Sequence, residues 1–264
     1  MDDPIFKVKD TSFSYDGTPI LKQVSCDFHK GVFYGILGPN GCGKTTFLDV
    51  MAGYSHPDAG CIYFSGKTLK KRSKTFLAQH IALVAQNYYI NFPYTVEDVV
   101  MMGRYPHIPR FASPSELDYE IVTAAMEITG VLPFKKQYVT ELSGGERQRT
   151  VFARGIAQDT GVLLLDEATS NLDINYTIHL LDRIKNRVKE KALTVISVFQ
   201  DINLAAIYCD EMVFMDQGTI VAAGATDEMM DEILIEKVFK VKSEIRFEPF
   251  YQARQALFRT GSEQ

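Results

Sequence analysis

A glycine-rich segment that directly follows a short apolar run is the feature that most constrains this chain. Residues 38–46 read GPNGCGKTT, and residues 32–37 before them are apolar. The pattern GxxxxGK[ST] needs Gly38 and Gly43 because backbone N–H groups must turn inward where a Cβ would clash. Such a loop joins a strand to a helix N-terminus, whose aligned N–H groups attract phosphate. The segment therefore predicts a strand, a phosphate-binding loop and a helix in direct succession.

Two side chains of this loop carry the chemistry expected around a nucleotide. Lys44 would bring a positive charge to the β- and γ-phosphates, and the Thr45 hydroxyl is placed for magnesium. We therefore predict that the chain binds ATP with Mg²⁺. We assign no redox role to Cys42, because any small residue suffices at its position. The predicted nucleotide contacts in the loop are Gly38, Pro39, Asn40, Gly41, Cys42, Gly43, Lys44, Thr45 and Thr46.

A pair of carboxylates follows the uninterrupted apolar run 162–165. Such a run is typical of a strand in a buried parallel sheet, and ligands bind at the carboxyl ends of these strands. We predict that Asp166 belongs to the magnesium shell and that Glu167 polarises an attacking water. Taken alone, the two residues could instead be a solvated pair at the start of a loop.

The overall composition is that of a globular protein without a basic surface. The 264 residues carry a formal net charge of −5, which argues against nucleic acid as a partner. No apolar run reaches the roughly 18–20 residues of a membrane helix. The N-terminus lacks the basic start and apolar middle of a signal peptide. The four cysteines form no CxxC pair, so we expect free thiols in a reducing cytoplasm.

Apolar patterning predicts alternating strands and helices. Helices are expected over residues 45–51 and 144–158. A further helix should begin with Ser113 as its N-cap, with Glu116 reaching back, and end at Gly130. The predicted strands are 5–8, 11–15, 32–37, 62–64, 81–85, 162–165, 193–198, 212–215 and 220–222, with a turn at 16–17.

These elements predict an α/β fold with a parallel core sheet. We expect an antiparallel N-terminal β-subdomain, a helical subdomain over about residues 87–158 and a C-terminal extension over about residues 226–264. The extension reads as helical and then mixed. All of these parts are expected to form one domain, residues 1–264.

A second glycine-containing segment is the point at which a family resemblance enters. Residues 142–146 read LSGGE and precede the predicted helix, so a Ser hydroxyl and glycine N–H groups lie at a positive helix end. With the phosphate loop and the acidic pair, the chain resembles the ATP-binding subunit of ABC transporters, and LSGGE matches that family's signature motif. The resemblance implies a P-loop NTPase core and a head-to-tail dimer. Ser143, Gly144 and Gly145 of one subunit would close on the ATP held by the other.

Other positions match the family individually. Tyr15 resembles the aromatic residue that stacks on adenine, although a strand tyrosine by itself more often packs in a core or on a surface. Gln86 resembles the glutamine that touches Mg²⁺ and couples to the membrane partner. Residues 170–173, Ser-Asn-Leu-Asp, resemble the loop that crosses the dimer interface.

One position departs from the family pattern. The family usually places a histidine on the γ-phosphate after the strand 193–198, and this chain has Gln200. The Gln200 amide can donate one hydrogen bond, but it carries no charge and moves no proton. We expect Gln200 to keep the sensing contact and Glu167 to act as general base, with turnover reduced rather than abolished.

Residues 95–100 and 103–107 resemble ATPase subunits of importers for iron–siderophore complexes, haem or cobalamin. Alternatively, these residues form only a capped helix followed by a proline-containing loop and have no such function. We predict that a cytoplasmic helix of a membrane subunit docks around Gln86 and residues 88–107. The aromatic anchors would be Tyr88, Tyr89, Phe92 and Tyr94, which could instead pack inward.

The resulting hypothesis is an ATP-hydrolysing subunit that energises import from the cytoplasmic face of the membrane. Its partners would be a second copy of the chain, polytopic permease subunits and, indirectly, a substrate-binding protein. One alternative is a soluble ABC ATPase of the iron–sulfur assembly type. Another is a weakly hydrolysing clamp kept open by Gln200. The residues do not name the cargo, and they do not fix import over export.

Overall fold

The computed structural model describes residues 3–86, 92–169 and 172–259. The strands are β1 (Phe6–Tyr15), β2 (Thr18–Phe28), β3 (Phe33–Leu37), β4 (Ala59–Phe64), β5 (Lys67–Thr68), β6 (Ile81–Val84), β7 (Val162–Asp166), β8 (Thr194–Val198), β9 (Glu211–Asp216), β10 (Thr219–Ala225), β11 (Ser243–Glu248) and β12 (Ala253–Phe258). The α-helices are α1 (Lys44–Ala52), α2 (Lys74–His80), α3 (Val96–Met101), α4 (Glu116–Ile128), α5 (Gly144–Ala157), α6 (Ile174–Lys191), α7 (Ile202–Tyr208), α8 (Thr226–Met229) and α9 (Glu232–Phe239). The chain divides into two compact units. One comprises Met1–Arg72 and Thr194–Gln264, and the other comprises Ser73–Leu193.

The first unit opens with an antiparallel sheet, as the sequence predicted, and its strands lie in the order β2-β1-β4-β5. Asp16 and Gly17 form the predicted turn between β1 and β2, with φ of 47° and 80°, a left-handed conformation that Asp and Gly adopt at small cost. The prediction of two strands over residues 5–8 and 11–15 was wrong. An irregularity in the ladder between Val8 and Thr11 absorbs the extra residue, so one bent strand continues through it.

The same unit contains the strand that leads into the glycine-rich loop. Strand β3 pairs in parallel with β8 and β9, and β10 returns antiparallel to β9. All five residues of β3 are buried, which explains its uninterrupted apolar sequence. The C-terminal extension forms α8 and α9, followed by the hairpin β11–β12.

The second unit combines a parallel strand pair with helices. Strands β6 and β7 pair in parallel, so their carboxyl ends lie at the same edge. Helices α3 and α4 pack against α5. A buried ion pair, 2.9 Å long, joins Arg104 before α4 to Asp118 within it. Among the described residues of both units, no helix is long and apolar enough to span a membrane.

The start of α4 differs from the prediction. Ser115, not Ser113, is the N-cap, because its side chain accepts a hydrogen bond from Asp118 N while the Asp118 carboxylate accepts one from Ser115 N. Asp118 thus completes a reciprocal capping box, and Glu116 becomes the first helical residue. Gly130, with φ 65°, follows the end of α4 as expected. Where the other predicted strands and helices are described, their bounds lie within three residues of those observed.

Candidate nucleotide site

The phosphate loop leaves the buried end of β3 with a conformation that only glycine accepts. Gly38 has φ 154°, and a Cβ at this residue would overlap the carbonyl oxygen of Met215. Gly43 has φ 103° and precedes the first residue of α1. Because glycine has no side chain, the N-cap of α1 places no hydroxyl or carboxylate over the N-terminus of the helix. The loop is therefore shaped as an anion cradle.

Lys44 folds back into this loop. Its Nζ donates hydrogen bonds to the carbonyl oxygens of Gly38, at 2.8 Å, and Pro39, at 3.0 Å, and the residue is buried. The ammonium group therefore lies inside the cradle, where a phosphate would meet it. Burial raises the pKa of the neighbouring Cys42 thiol. A neutral thiol is a weak nucleophile.

The first unit holds two further predicted contacts. Tyr15, at the end of β1, is 47% exposed, and its ring lies edge-on to Phe13 at 4.8 Å between centroids. Gln200 is exposed just after β8. The next residue, Asp201, caps α7 by accepting hydrogen bonds from the backbone N–H groups of Asn203 and Leu204.

The second unit brings together two of the predicted residues, Gln86 and Glu167. Gln86 follows β6 and Glu167 follows β7, and Gln86 Nε2 donates a 2.6 Å hydrogen bond to Glu167 Oε2. Asp166 is buried at the end of β7. Glu167 has φ 46°, which is costly for a residue with a Cβ and recurs at functional sites. The arrangement holds one carboxylate next to an amide at the sheet edge.

Gln148 supports this edge and was missed by the sequence analysis. It is buried on α5, and its Nε2 donates a 3.0 Å hydrogen bond to the carbonyl oxygen of Ala168. The backbone just after Glu167 is therefore tied to α5. A glutamine five residues beyond Ser143 carries no local signal for this contact, which joins residues 20 apart in the chain.

The signature segment begins α5 with a full capping box. Ser143 N and Ser143 Oγ both donate to Glu146 Oε2, at 2.8 and 2.7 Å, and Glu146 N donates to Ser143 Oγ. These hydrogen bonds from Ser143 lower the pKa of Glu146. A Cβ added at Gly144 or Gly145 would meet no atom within 4 Å. The two glycines therefore face open space on this unit.

Residues 103–107, GRYPH, hold the other end of α5. Arg104 Nη1 donates to the carbonyl oxygen of Ala157 and His107 Nε2 to that of Gln158, at 2.9 and 2.8 Å. A Cβ at Gly103 would overlap the carbonyl oxygen of Arg154, so glycine allows this close approach. The segment thus satisfies carbonyl groups that the end of a helix leaves without partners.

Several aromatic rings of the second unit are exposed. Phe92 and Tyr94 are 67% and 43% exposed, so they do not pack inward. Tyr105, 59% exposed, borders a groove of about 660 Å³ between α2 and residues 105–110. Tyr88, Tyr89, Ser170 and Asn171 lie outside the described residues. Asp173 caps α6 by accepting from Tyr176 N.

Comparison with known proteins gives concordant results. The model of the ABC transporter family matches residues 21–170. The cobalamin import ATP-binding protein BtuD of Halobacterium salinarum is 38% identical over 233 residues, covering 88% of this chain and 58% of that protein. The ferric enterobactin transport ATP-binding protein FepC of Escherichia coli is 35% identical over 238 residues, covering 90% and 88%.

This chain spans only part of two of its relatives, namely BtuD, as above, and a second, longer protein. The second is an uncharacterised ABC transporter ATP-binding protein, YvrA, of Bacillus subtilis, of which the chain covers 48% at 42% identity over 214 residues. Among solved structures, an inward-facing putative metal-chelate type ABC transporter matches 98% of this chain and 97% of its own, with a TM-score of 0.82 and 27% identity.

Proposed function

The chain belongs to the ABC transporter family, and from this we propose that it binds and hydrolyses ATP to energise a membrane importer. The observation that carries the proposal is the phosphate loop, in which glycine at position 38 is enforced by Met215 and the Lys44 ammonium lies among the loop carbonyls. A triphosphate would replace those carbonyls as the hydrogen-bond partner of Lys44 Nζ, and the contact would be charge-assisted.

Magnesium is proposed as the ion bound with ATP. Thr45, Gln86 and Asp166 are the residues that would hold the ion, through a hydroxyl, an amide and a carboxylate oxygen, which are the ligands magnesium prefers. When bound, the ion neutralises charge on the β- and γ-phosphates. Tyr15 would stack on the adenine, since its ring is half exposed.

Hydrolysis is assigned to Glu167 and Gln200. Glu167 accepts the proton of the attacking water, and Gln200 donates an amide hydrogen bond to the γ-phosphate. In this structure Gln86 already donates to Glu167. Gln86 must therefore release that carboxylate when it turns to the ion. This change of partner couples the general base Glu167 to Gln86, which resembles the family's glutamine that couples to the membrane subunit.

A second copy of the chain would complete the site. Ser143, Gly144 and Gly145 of that copy would bind the γ-phosphate in a head-to-tail dimer. Gly144 and Gly145 leave room for such an approach. The Ser143 hydroxyl, now bonded to Glu146, would turn its proton to the phosphate.

The membrane partner would be a permease at the cytoplasmic face, fed by a substrate-binding protein. The exposed rings of Phe92 and Tyr94, and the groove that Tyr105 borders, support docking of a short helix on the second unit. The names of the relatives support a metal chelate of the cobalamin or iron–siderophore type as cargo.

The test is the variant Glu167→Gln, purified from membranes with a tag. Losing the base should stop hydrolysis and trap an ATP-bound dimer, seen by light scattering with ATP and Mg²⁺. A polytopic permease should co-purify in stoichiometric amount and be identified by mass spectrometry. The matched control is Glu190→Gln, an exposed residue of α6, which should hydrolyse ATP like the wild type.

Two outcomes would contradict the proposal in different places. A Glu167→Gln chain that stays monomeric with ATP and Mg²⁺ would contradict the sandwich dimer and the role of the signature. Recovery of soluble scaffold proteins in place of a permease would move the function to the assembly class of ABC ATPases.

A further inference from the structure

The Asn203 side chain of α7 hydrogen-bonds to the C-terminal hairpin β11–β12. Asn203 Oδ1 accepts a 2.7 Å hydrogen bond from Ala256 N, and Asn203 Nδ2 donates a 3.1 Å bond to Ala256 O. Gln255 Nε2 adds a longer contact, 3.4 Å, to the backbone oxygen of Asn203. The asparagine amide therefore pairs with β12 at both polar atoms, as a neighbouring strand would.

The pairing within the hairpin explains why these backbone groups are available. Ala256 lies opposite Ile245 on β11. The Ile245 N–H points away from β12, to Glu232 Oε1 on α9 at 3.0 Å, so this is a pair without mutual hydrogen bonds. One edge of the hairpin is thus fixed to α9 and the other to α7. Ala256 is buried at 2% exposure, so without Asn203 its polar groups would lack water as a substitute.

Asn203 lies in the same turn of chain as the proposed phosphate sensor. Gln200 follows β8, Asp201 caps α7, and the Asp201 carboxylate accepts from the backbone N–H of Asn203 at 2.8 Å. The position of the Gln200 backbone is therefore set on one side by β8, whose residues are all buried, and on the other by the N-cap of α7, in which the Asn203 backbone takes part. The side chain of Asn203 faces the hairpin, so it takes no direct part in phosphate binding.

We propose that Asn203 is a positioning residue for Gln200: by gripping Ala256 of the C-terminal hairpin, it fixes the turn that presents the Gln200 amide to the γ-phosphate. The inference rests on the proposed role of Gln200. It gives the C-terminal extension a function in distinguishing ATP from ADP, because only ATP carries the phosphate that Gln200 would contact. Loosening the hairpin lowers that discrimination and leaves the binding of the shared α- and β-phosphates unchanged.

The experiment measures ATP and ADP affinities of the full chain by calorimetry, in the Glu167→Gln background so that ATP persists, and with Ser143→Ala so that ATP does not drive dimerisation. Asn203→Ala should lower the ratio of ATP to ADP affinity about fivefold, with ADP affinity unchanged, since part of one hydrogen bond to a charged group is lost. Asn203→Asp has the same shape but places an oxygen against the Ala256 carbonyl, and should lower the ratio as well. Asn186→Ala, an exposed residue of α6, is the matched control and should leave the ratio unchanged.

A double-mutant cycle separates positioning from general support of the fold. Gln200→Ala alone should lower the ratio about tenfold, and adding Asn203→Ala should change it no further. If Asn203→Ala lowers the ratio equally in both backgrounds, or lowers ADP affinity in step with ATP affinity, the positioning role is wrong. If Gln200→Ala itself leaves the ratio unchanged, the proposed role of Gln200 is wrong as well. Melting temperatures identify a variant that does not fold. If Asn203→Ala does not fold, the affinity ratio of Asn203→Asp, which preserves the packing volume, tests the positioning role instead.

Discussion

The N-termini of α1 and α5 both contain glycine, as the N-cap Gly43 of α1 and as the first two residues, Gly144 and Gly145, of α5, but they are capped in opposite ways. The N-cap of α1 is Gly43, which has no side chain, and the nearby cation Lys44 rests on loop carbonyls. The N-cap of α5 is Ser143, which shares three hydrogen bonds with Glu146. The N-terminus of α1 is therefore open to an anion, whereas the N-terminus of α5 is already bound to a carboxylate of its own chain.

On the proposed function, this difference gives the two anion sites an order of binding. The open end of α1 can take a phosphate without breaking a capping interaction, so it should bind nucleotide first. The end of α5 must give up part of its bonding to Glu146 before Ser143 can serve a phosphate. A capped site of this kind discriminates against free anions, and it is expected to respond only when a second copy presents its nucleotide at high local concentration.

The largest effect should come from Lys44→Ala, which removes the cation from the open site. We expect ATP affinity to fall by about two orders of magnitude, because the charged contact to the β- and γ-phosphates is lost. Calorimetric titration with ATP and Mg²⁺ measures the change. Lys67→Ala, an exposed lysine of β5, should bind like the wild type. If Lys44→Ala binds ATP within twofold of the wild type, the N-terminus of α1 is not the open phosphate site, and the proposed difference between the two helix ends is wrong.

An intermediate effect should come from Ser143→Ala, which removes the cap of α5. Loss of an N-cap side chain costs about 1 kcal/mol of stability, which lowers the melting temperature by roughly 2–4 °C in a chain of this size. ATP binding to the isolated subunit should persist, while ATP-driven dimerisation should fail. Calorimetry followed by light scattering separates the two steps. Weakened binding by the monomer would mean that Ser143 acts within its own subunit.

The smallest effect should come from Glu146→Gln, which keeps an acceptor for Ser143 but removes its charge. Since the folded-state pKa of Glu146 is lowered, its ionised form stabilises the fold above the ordinary value of about 4.3, and that contribution is lost as pH falls through the lowered pKa. The variant should be less stable at pH 7 by about 0.5 kcal/mol, and the difference should shrink toward pH 3. Chemical denaturation at both pH values measures it, with Glu190→Gln as the control. A difference that grows on acidification would contradict the assigned cap.

Much of the fold followed from patterns that span a few residues. The turn at Asp16 and Gly17, the end of α4 at Gly130 and the buried strand β7 each depend on local conformation or on an uninterrupted apolar run. Which of Ser113 and Ser115 caps α4 depends on a contact outside the helix. Asp118 also pairs with buried Arg104, and this tertiary contact fixes the turn in which the capping box forms.

The candidate site divides in the same manner. Its motifs could be found because each is contiguous, from the phosphate loop to the signature. The contact between Gln86 and Glu167 joins residues 81 apart, and the grip of Asn203 on Ala256 joins residues 53 apart. No periodicity or spacing predicts which amide meets which partner at such separations, because those contacts exist only after strands and helices have packed.

The sequence by itself determined the phosphate loop, the acidic pair and the signature, since glycine conformations, a helix N-terminus and the end of a buried strand are properties of short segments. Only the tertiary structure decided that the GRYPH segment caps the end of α5 and that the C-terminal extension ends in a hairpin held by Asn203. The physical reason is that a contact between residues close in the chain depends on local conformation, which a short sequence pattern reveals. A contact between distant residues forms only when packing brings the two groups together and buries them.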